Sequence, residues 1–368
     1  MSNSTKLYHL NLFRRIISLT AWLILTANIF AEEGHKRTQE IEVNKGWNAI
    51  FLEVDPEIND PESLIEGTPI DIVATLYRRK STAQFSSDPN VNLLREQGWS
   101  VWRAKDRPDA FLSDFSVISG ARAYLIHSKT EFSWSVRGEQ SIFSKINWQT
   151  NSFNLVGFNV EKNAGPSFEQ FFKHSKSHKE SPIYRLKNGK WVLVEQKGAE
   201  LMKSGESFWI YCDGASDYSG PLELKMRSSV AGLVVGKSGG SVDLRNLTDH
   251  PLDVSMSHHV PSGKIQPIDL AVRVIDDLYD PIKTEPLDLG LGKWSYPIKM
   301  LEAREAIKVP FIRQADEMLE NQHESLIEFK TDLGTNHWIR VTSVRSVSYT
   351  HLRAHETDSY LVCRLLLE

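Results

Sequence analysis

The sequence predicts a mainly β protein: two tandem β-rich units, each with one short helix, followed by a β-sandwich. Three observations carry this. An ordered series of features recurs twice along the chain, and short alternating apolar and polar runs dominate the rest. Aromatic and β-branched residues, which favour pleated and half-buried positions, fill those runs. The 368 residues include 10 Trp, 16 Phe and only 2 Cys at a net charge of -4, which excludes collagen-like, disordered and disulfide-dense classes. A mildly acidic chain also lacks the basic footprint of a general nucleic-acid binder.

The two ends are set apart before the fold is read. Lys6, Arg14 and Arg15 precede an apolar run from Ile16 to Phe30 that closes on Ala31, ahead of Glu32 and Glu33. This is the pattern of a signal peptide over residues 1–31, and the run falls short of the roughly 20 residues needed to span a bilayer. The expected location is therefore exported: periplasmic, cell-surface or extracellular, with no membrane attachment once the signal is removed. Residues 346–368 read as a non-native tail, because Val347–Thr357 and Leu361–Glu368 match the translation of two sequencing-adapter stretches around a barcode-length spacer. On that reading the natural protein continues past about residue 345, and the chain is a fragment. Cys363 then carries no evolved meaning, which leaves Cys212 as the one native thiol.

The first unit is expected over residues 32–141 and the second over 142–225. Gly46-Trp-Asn-Ala-Ile-Phe-Leu-Glu-Val54 is echoed by Ser152-Phe-Asn-Leu-Val-Gly-Phe-Asn-Val160. Upstream of each lies a short alternating segment, Ile41–Val43 and Ile146–Trp148, so each pair predicts a hairpin. A helix start follows in both: Asp60 caps Pro61 at the first helical position, and Ser167 with Gln170 makes a capping box. Then come the strand pairs Leu76–Arg78 with Ile183–Arg185, and Trp99–Trp102 with Trp191–Val194. Ser119-Gly120 finally leads into Ala123–Ile126, as Ser204-Gly205 leads into Phe208–Tyr211. That alignment places Cys212 opposite His127 at a strand end, as a small core residue.

Residues 226–345 change to seven short alternating runs. They are Val242–Leu244, Leu252–Met256, Leu270–Val274, Trp294–Tyr296, Ile307–Val309, Leu326–Phe329 and Trp338–Val341. Thr248–Pro251 and Gly290–Lys293 supply turns, and Gln314–Gln322 reads as a polar insertion. Strands at this spacing predict an immunoglobulin-like sandwich, without the cysteines that would certify an antibody-type domain.

Each chemical motif has a plainer structural account. Ala231–Ser238 approaches a phosphate-binding loop, but its first glycine is Ala231, and a strand follows where the motif needs a helix. His258 and His259 are adjacent, so a strand sends them to opposite faces. Asp276, Asp277 and Asp280 lack the spacing and turn glycine of a calcium loop, and Asp55, Glu57 and Asp60 fit helix capping better. Neither a nucleophile elbow nor a zinc-protease motif is present. The reading therefore assigns no catalytic residue, metal or cofactor. Aromatic faces stack on sugars through their apolar surfaces, which makes Trp99 and Trp102 the binding candidates; on a strand they point to opposite faces.

The Gly46-Trp47-Asn48 strand followed by Val54-Asp55-Pro56, the Tyr124–Ile126 strand and the echo at Ser152–Val160 stand behind a signal peptide. In this the chain resembles a group of uncharacterised exported multidomain bacterial proteins with tandem units of this kind. The resemblance covers most of residues 40–345 and transfers no site residue. It implies an immunoglobulin-like segment after the units and often a downstream concanavalin-like (LamG-type) lectin domain. The expected function is a non-catalytic exported module of a larger surface or secreted protein, serving adhesion, glycan binding or spacing. Its expected partners are an extracellular glycan or a cell-surface protein. The alternatives are an accessory region of a secreted glycan-degrading enzyme and an enzyme contained within residues 32–345.

Overall fold

A computed structural model describes residues 36–77, 98–143, 145–226, 232–236, 239–259, 268, 270–273, 284–286, 295–297, 300–313 and 323–343. The signal and tail segments, Asp276, Asp277, Asp280, Trp294 and the 314–322 insertion lie outside the described residues.

The first unit contains β1 (Lys36–Val43), β2 (Gly46–Leu52), β3 (Val54–Pro56), α1 (Pro61–Leu64), β4 (Ile70–Leu76), β5 (Trp99–Arg103), β6 (Arg122–Ser128) and β7 (Phe132–Gln140). They form two antiparallel sheets, β1-β7-β3 and β2-β6-β4-β5. Alternation along β1 and β7 turns Ile41, Val43, Trp134 and Val136 inward, onto Leu52, Val73, Tyr124 and Ile126 of the other sheet. Asp60 caps α1 as expected, its carboxylate accepting the Ser63 amide at 2.9 Å, whereas Asp55 accepts from Gly120 N at 2.8 Å and Glu57 pairs with Lys36 at 3.0 Å, so neither caps the helix.

The second unit contains β8 (Ser152–Gly157), α2 (Phe168–Phe172), β9 (Ile183–Lys187), β10 (Lys190–Leu193) and β11 (Ser207–Cys212) in one antiparallel sheet ordered β8-β11-β9-β10. The order matches β2-β6-β4-β5: first strand, fourth, second, third. The capping box at Ser167 and Gln170 is formed in both directions, at 3.1 and 2.9 Å. It anchors α2, whose Phe168, Phe171 and Phe172 are fully buried beneath the sheet.

Two expected pairings are corrected. β1 joins β7 rather than making a hairpin with β2, and no strand forms at residues 146–148. Gly46, at φ 91, turns the chain, and the Asn48 side chain binds both the amide and the carbonyl of Asn44, taking the place of a ladder rung. In the second unit Asn154 does the same for Gln149, while Trp148 is buried and donates from Nε1 to Tyr218 O at 2.7 Å. The alignment of Cys212 shifts by one residue. Ser152 lies opposite Cys212 as Gly46 lies opposite Ser128, so His127 corresponds to Tyr211. The first unit spends one more residue entering the strand, at Ala121 with φ 52.

The two four-stranded sheets pack face to face. Trp47, Ala49, Leu76 and Leu125 from the first meet Leu155, Trp191 and Trp209 from the second. Backbone contact joins them as well, with Phe51 N donating to Gly205 O at 2.9 Å. Gly157 allows the approach, since a Cβ there would lie 2.3 Å from Phe51.

The third unit contains β12 (Leu222–Met226), β13 (Leu233–Val234), β14 (Gly240–Asn246), β15 (Val254–His259), β16 (Leu270–Arg273), β17 (Thr284–Pro286), β18 (Ser295–Pro297), β19 (Ala306–Arg313), β20 (His323–Thr331) and β21 (Asn336–Ser343). Two five-stranded sheets, β12-β14-β19-β16-β17 and β13-β21-β20-β15-β18, enclose one apolar core; β12, expected at the end of the second unit, pairs with β14 and so begins the third. β14 beside β19 on one sheet and β21-β20-β15 on the other reproduce the B-E and G-F-C groupings of an immunoglobulin-like sandwich. Each of the seven expected runs supplies a strand. The motif resembling a phosphate loop is β13 and a turn closed by Gly239 N donating to Gly236 O at 3.0 Å; Ala231, Lys237 and Ser238 lie outside the described residues. The turn carries the chain from one sheet to the other rather than forming a hairpin within one.

Candidate functional site

A cleft of about 930 Å³ lies where the three units meet. The first unit contributes the end of β4 and start of β5, with Tyr77, Trp99, Ser100 and Asp114, and the entry to β6, with Arg122. The second contributes Phe143, Leu155–Asn159 and Phe171, and the third Thr335, Asn336 and His337. Backbone bonds hold the walls together: Phe143 N donates to Trp338 O at 2.5 Å, and Asn336 N to Asn159 O at 3.1 Å.

Trp99 and Trp102 part company, as strand geometry requires. Trp99 lines the cleft while packing edge-to-face on Trp209, with ring centroids 6.3 Å apart. Trp102 points to the other face and packs on the core beneath β1 and β7. Both are half-buried. Only Trp99 is placed to meet a ligand in the cleft.

Beside Trp99 lies an aromatic group that the sequence pattern did not single out. Tyr77 is 38% exposed, and the Arg122 guanidinium sits 4.0 Å from its ring centre. Arg122 Nε also donates to Thr75 Oγ1 at 3.1 Å, which holds the cation over the ring. Asp114 accepts from Val101 N at 2.7 Å. Across the cleft, the Phe143 ring stands edge-on to His337 at 5.3 Å, and burial pushes the His337 imidazole down to about 4. His337 is therefore neutral near pH 7. Its position at the end of a sandwich strand, far in sequence from Tyr77 and Arg122, left no local signal.

Other groups that suggest chemistry have structural places. Ser175 Oγ and His178 Nδ1 are 2.6 Å apart, but both residues are buried and the His178 ring packs 4.1 Å from Trp148. Burial holds His178 at about 4. Asp71 lies 2.5 Å from His127 Nδ1 and pairs with Arg107 at 2.8 Å, and the His127 ring packs edge-on against Trp47. Cys212 is fully buried, and burial raises its thiol above the ordinary range, which fits a core position rather than a reactive one. His258 and His259 occupy successive positions of β15, and His259 lies 3.4 Å from Glu328. Among the described residues no group of His, Cys, Asp or Glu is arranged to hold a metal ion, and no helix is long and apolar enough to cross a membrane.

No family model and no curated protein matches the chain. Among solved structures, a Salmonella enterica SafA pilin in complex with the SafB chaperone matches at a TM-score of 0.23 and 12% identity, over 34% of this chain and 55% of that one. The Escherichia coli chaperone DraB matches at 0.21 and 14%, over 33% and 53%. Escherichia coli alpha-2-macroglobulin matches at 0.18 and 11%, over 84% of this chain and 33% of that chain. This chain thus spans about half the length of the first two. At these scores the likeness carries no argument about function.

Proposed function

We propose that the chain is a non-catalytic, exported glycan-binding module, and that the cleft between its three units is the binding site. The observation that carries this reading is the wall formed by Tyr77, Arg122 and Trp99. It offers an exposed aromatic face, a stacked cation fixed by Thr75, and a second half-buried indole within one concavity. Sugar rings present apolar C–H faces to aromatic rings and hydroxyls to polar neighbours, and a concave site of this composition serves both. The charge pattern, the signal-like amino terminus and the lack of a recognisable nucleophile or metal motif support the same reading.

A glycan array probed with the full chain and with Tyr77→Ala tests it. Binding of at least one glycan by the full chain, lost in Tyr77→Ala, is expected. A uniformly blank array would remove the binding role and leave only a spacing one. Polysaccharide hydrolysis by the purified chain would overturn the non-catalytic reading.

A further inference from the structure

The cleft also carries polar groups that the protein itself leaves unmatched. Asn159, Asn336 and His337 line it, and Asn159 Oδ1, Asn336 Oδ1 and His337 Nε2 are each buried without a hydrogen-bond partner in the protein. His337 as a residue is only 6% exposed. Three such atoms on one concavity are placed to take partners supplied from outside the protein.

The chemistry of these groups narrows the partner. Two amide oxygens call for donors, while the imidazole nitrogen takes a donor or an acceptor according to its tautomer. None of the three carries a formal charge near neutral pH, because burial keeps His337 unprotonated. The neighbouring ring surfaces of Phe143, Tyr77 and Trp99 are apolar. Arg122, Lys145 and Asp114 are the charged residues of the described lining; at the polar wall a hydroxyl donates to the two amide oxygens, which an anion cannot do.

Resting on the glycan-binding reading above, we infer that Asn159, Asn336 and His337 form a polar subsite that takes the hydroxyl groups of a neutral saccharide. Arg122 and Tyr77 hold the ring face, and this subsite sets which hydroxyls are accepted. Ligand specificity therefore resides on the second and third units, while the stacking surface resides on the first.

Titration calorimetry on the full chain tests this with cellohexaose, laminarihexaose, mannohexaose and chitohexaose as neutral probes and hexagalacturonate as the charged one. At least one neutral hexaose is expected to bind, and more tightly than hexagalacturonate. Asn159→Leu, Asn336→Leu and His337→Phe are each expected to weaken it by roughly tenfold or more, the size of a lost buried hydrogen bond. Thermal midpoints of the free variants should hold or rise, because each change removes an unmatched polar atom. Where a midpoint falls, the alanine variant at the same position replaces it with the same tenfold expectation. Unchanged affinity in all three variants, with binding lost in Tyr77→Ala, would overturn the subsite and leave the glycan reading standing; that result would mean that ordered water alone fills the polar wall. Tighter binding of hexagalacturonate would overturn the neutral-ligand assignment, and no binding of any probe would overturn both readings.

Discussion

Asn48 and Asn154 occupy the same point in two separate sheets. Each lies opposite an isoleucine on the neighbouring strand, Ile126 and Ile210. Each accepts an upstream amide at 2.8 Å, from Asn44 or Gln149, and donates through Nδ2 to two backbone carbonyls. The side chain closes the turn that feeds the strand, and only an amide supplies the acceptor and both donors at once. Replacing either by Ala or Asp should cost about 1–3 kcal/mol, because buried backbone groups lose their partner. Urea unfolding of Asn48→Asp and Asn154→Asp should show similar losses at the two positions. A loss at one position alone would show that the two turns are not energetically equivalent.

Trp209 is flanked by Trp99 at 6.3 Å and Trp191 at 6.2 Å, both edge-on. Trp99 and Trp191 hold matching positions, opposite Leu76 and Leu186, so the sequence match of Leu76 with Ile183 is shifted by three residues, and the contact joins the two units through one shared side chain. Trp209→Ala should destabilise by about 3–5 kcal/mol through cavity formation. Its effect should be non-additive with Trp191→Ala by at least about 0.5 kcal/mol, as expected for rings in contact. Equilibrium unfolding of the two single variants and the double variant measures this.

Glu53 ties the units together by a polar route. Its buried carboxylate accepts from Arg37 at 2.6 Å, Ser204 Oγ at 2.6 Å and Gly205 N at 3.0 Å. Glu53→Gln places an amide donor against one or more of these donors and should cost about 1–3 kcal/mol. Ser204→Ala in that background should cost less than it does alone, and thermal melts of the four proteins in the cycle check the coupling.

Stability should fall in mild acid. His178 and His337 are both held at about 4 by burial. The unfolded value is about 6.5, so between those limits the unfolded chain binds more protons than the folded one. Stability is therefore complete above the unfolded value and declines as pH drops toward the folded one, by up to about 1.4 kcal/mol per pH unit for each histidine. Glu206 acts in the opposite sense, since burial raises its carboxyl and the folded state holds that proton longer. Comparing the full chain with a His178→Phe/His337→Phe variant isolates the histidine contribution. Urea midpoints between pH 7 and 4.5 should slope less in the double variant, and parallel slopes would exclude this origin.

The strands were legible because their signals are local. Alternation at Val242–Leu244 or Leu326–Phe329 marks a strand whatever its partner, and the capping residues Asp60 and Ser167 mark helix starts within a few positions. Partners were less legible. The alternation of Ile41 and Val43 shows which face is buried, but nothing near them names β7, some 90 residues away, as the neighbour. The cleft was harder still, because Tyr77, Asn159 and His337 are assembled from three units, and only Trp99 stood out by residue type. Trp102 has the same type and lies on the wrong face.

The most direct test is the affinity of the full chain and of Tyr77→Ala for the glycan bound best on the array, measured by titration calorimetry. Tyr77 is partly exposed, so its removal should spare the fold. A loss of about 1–3 kcal/mol, roughly fivefold to 150-fold in Kd, is predicted for removing one stacking face. Equal affinities at an unchanged thermal midpoint would contradict the assignment of the cleft as the glycan site.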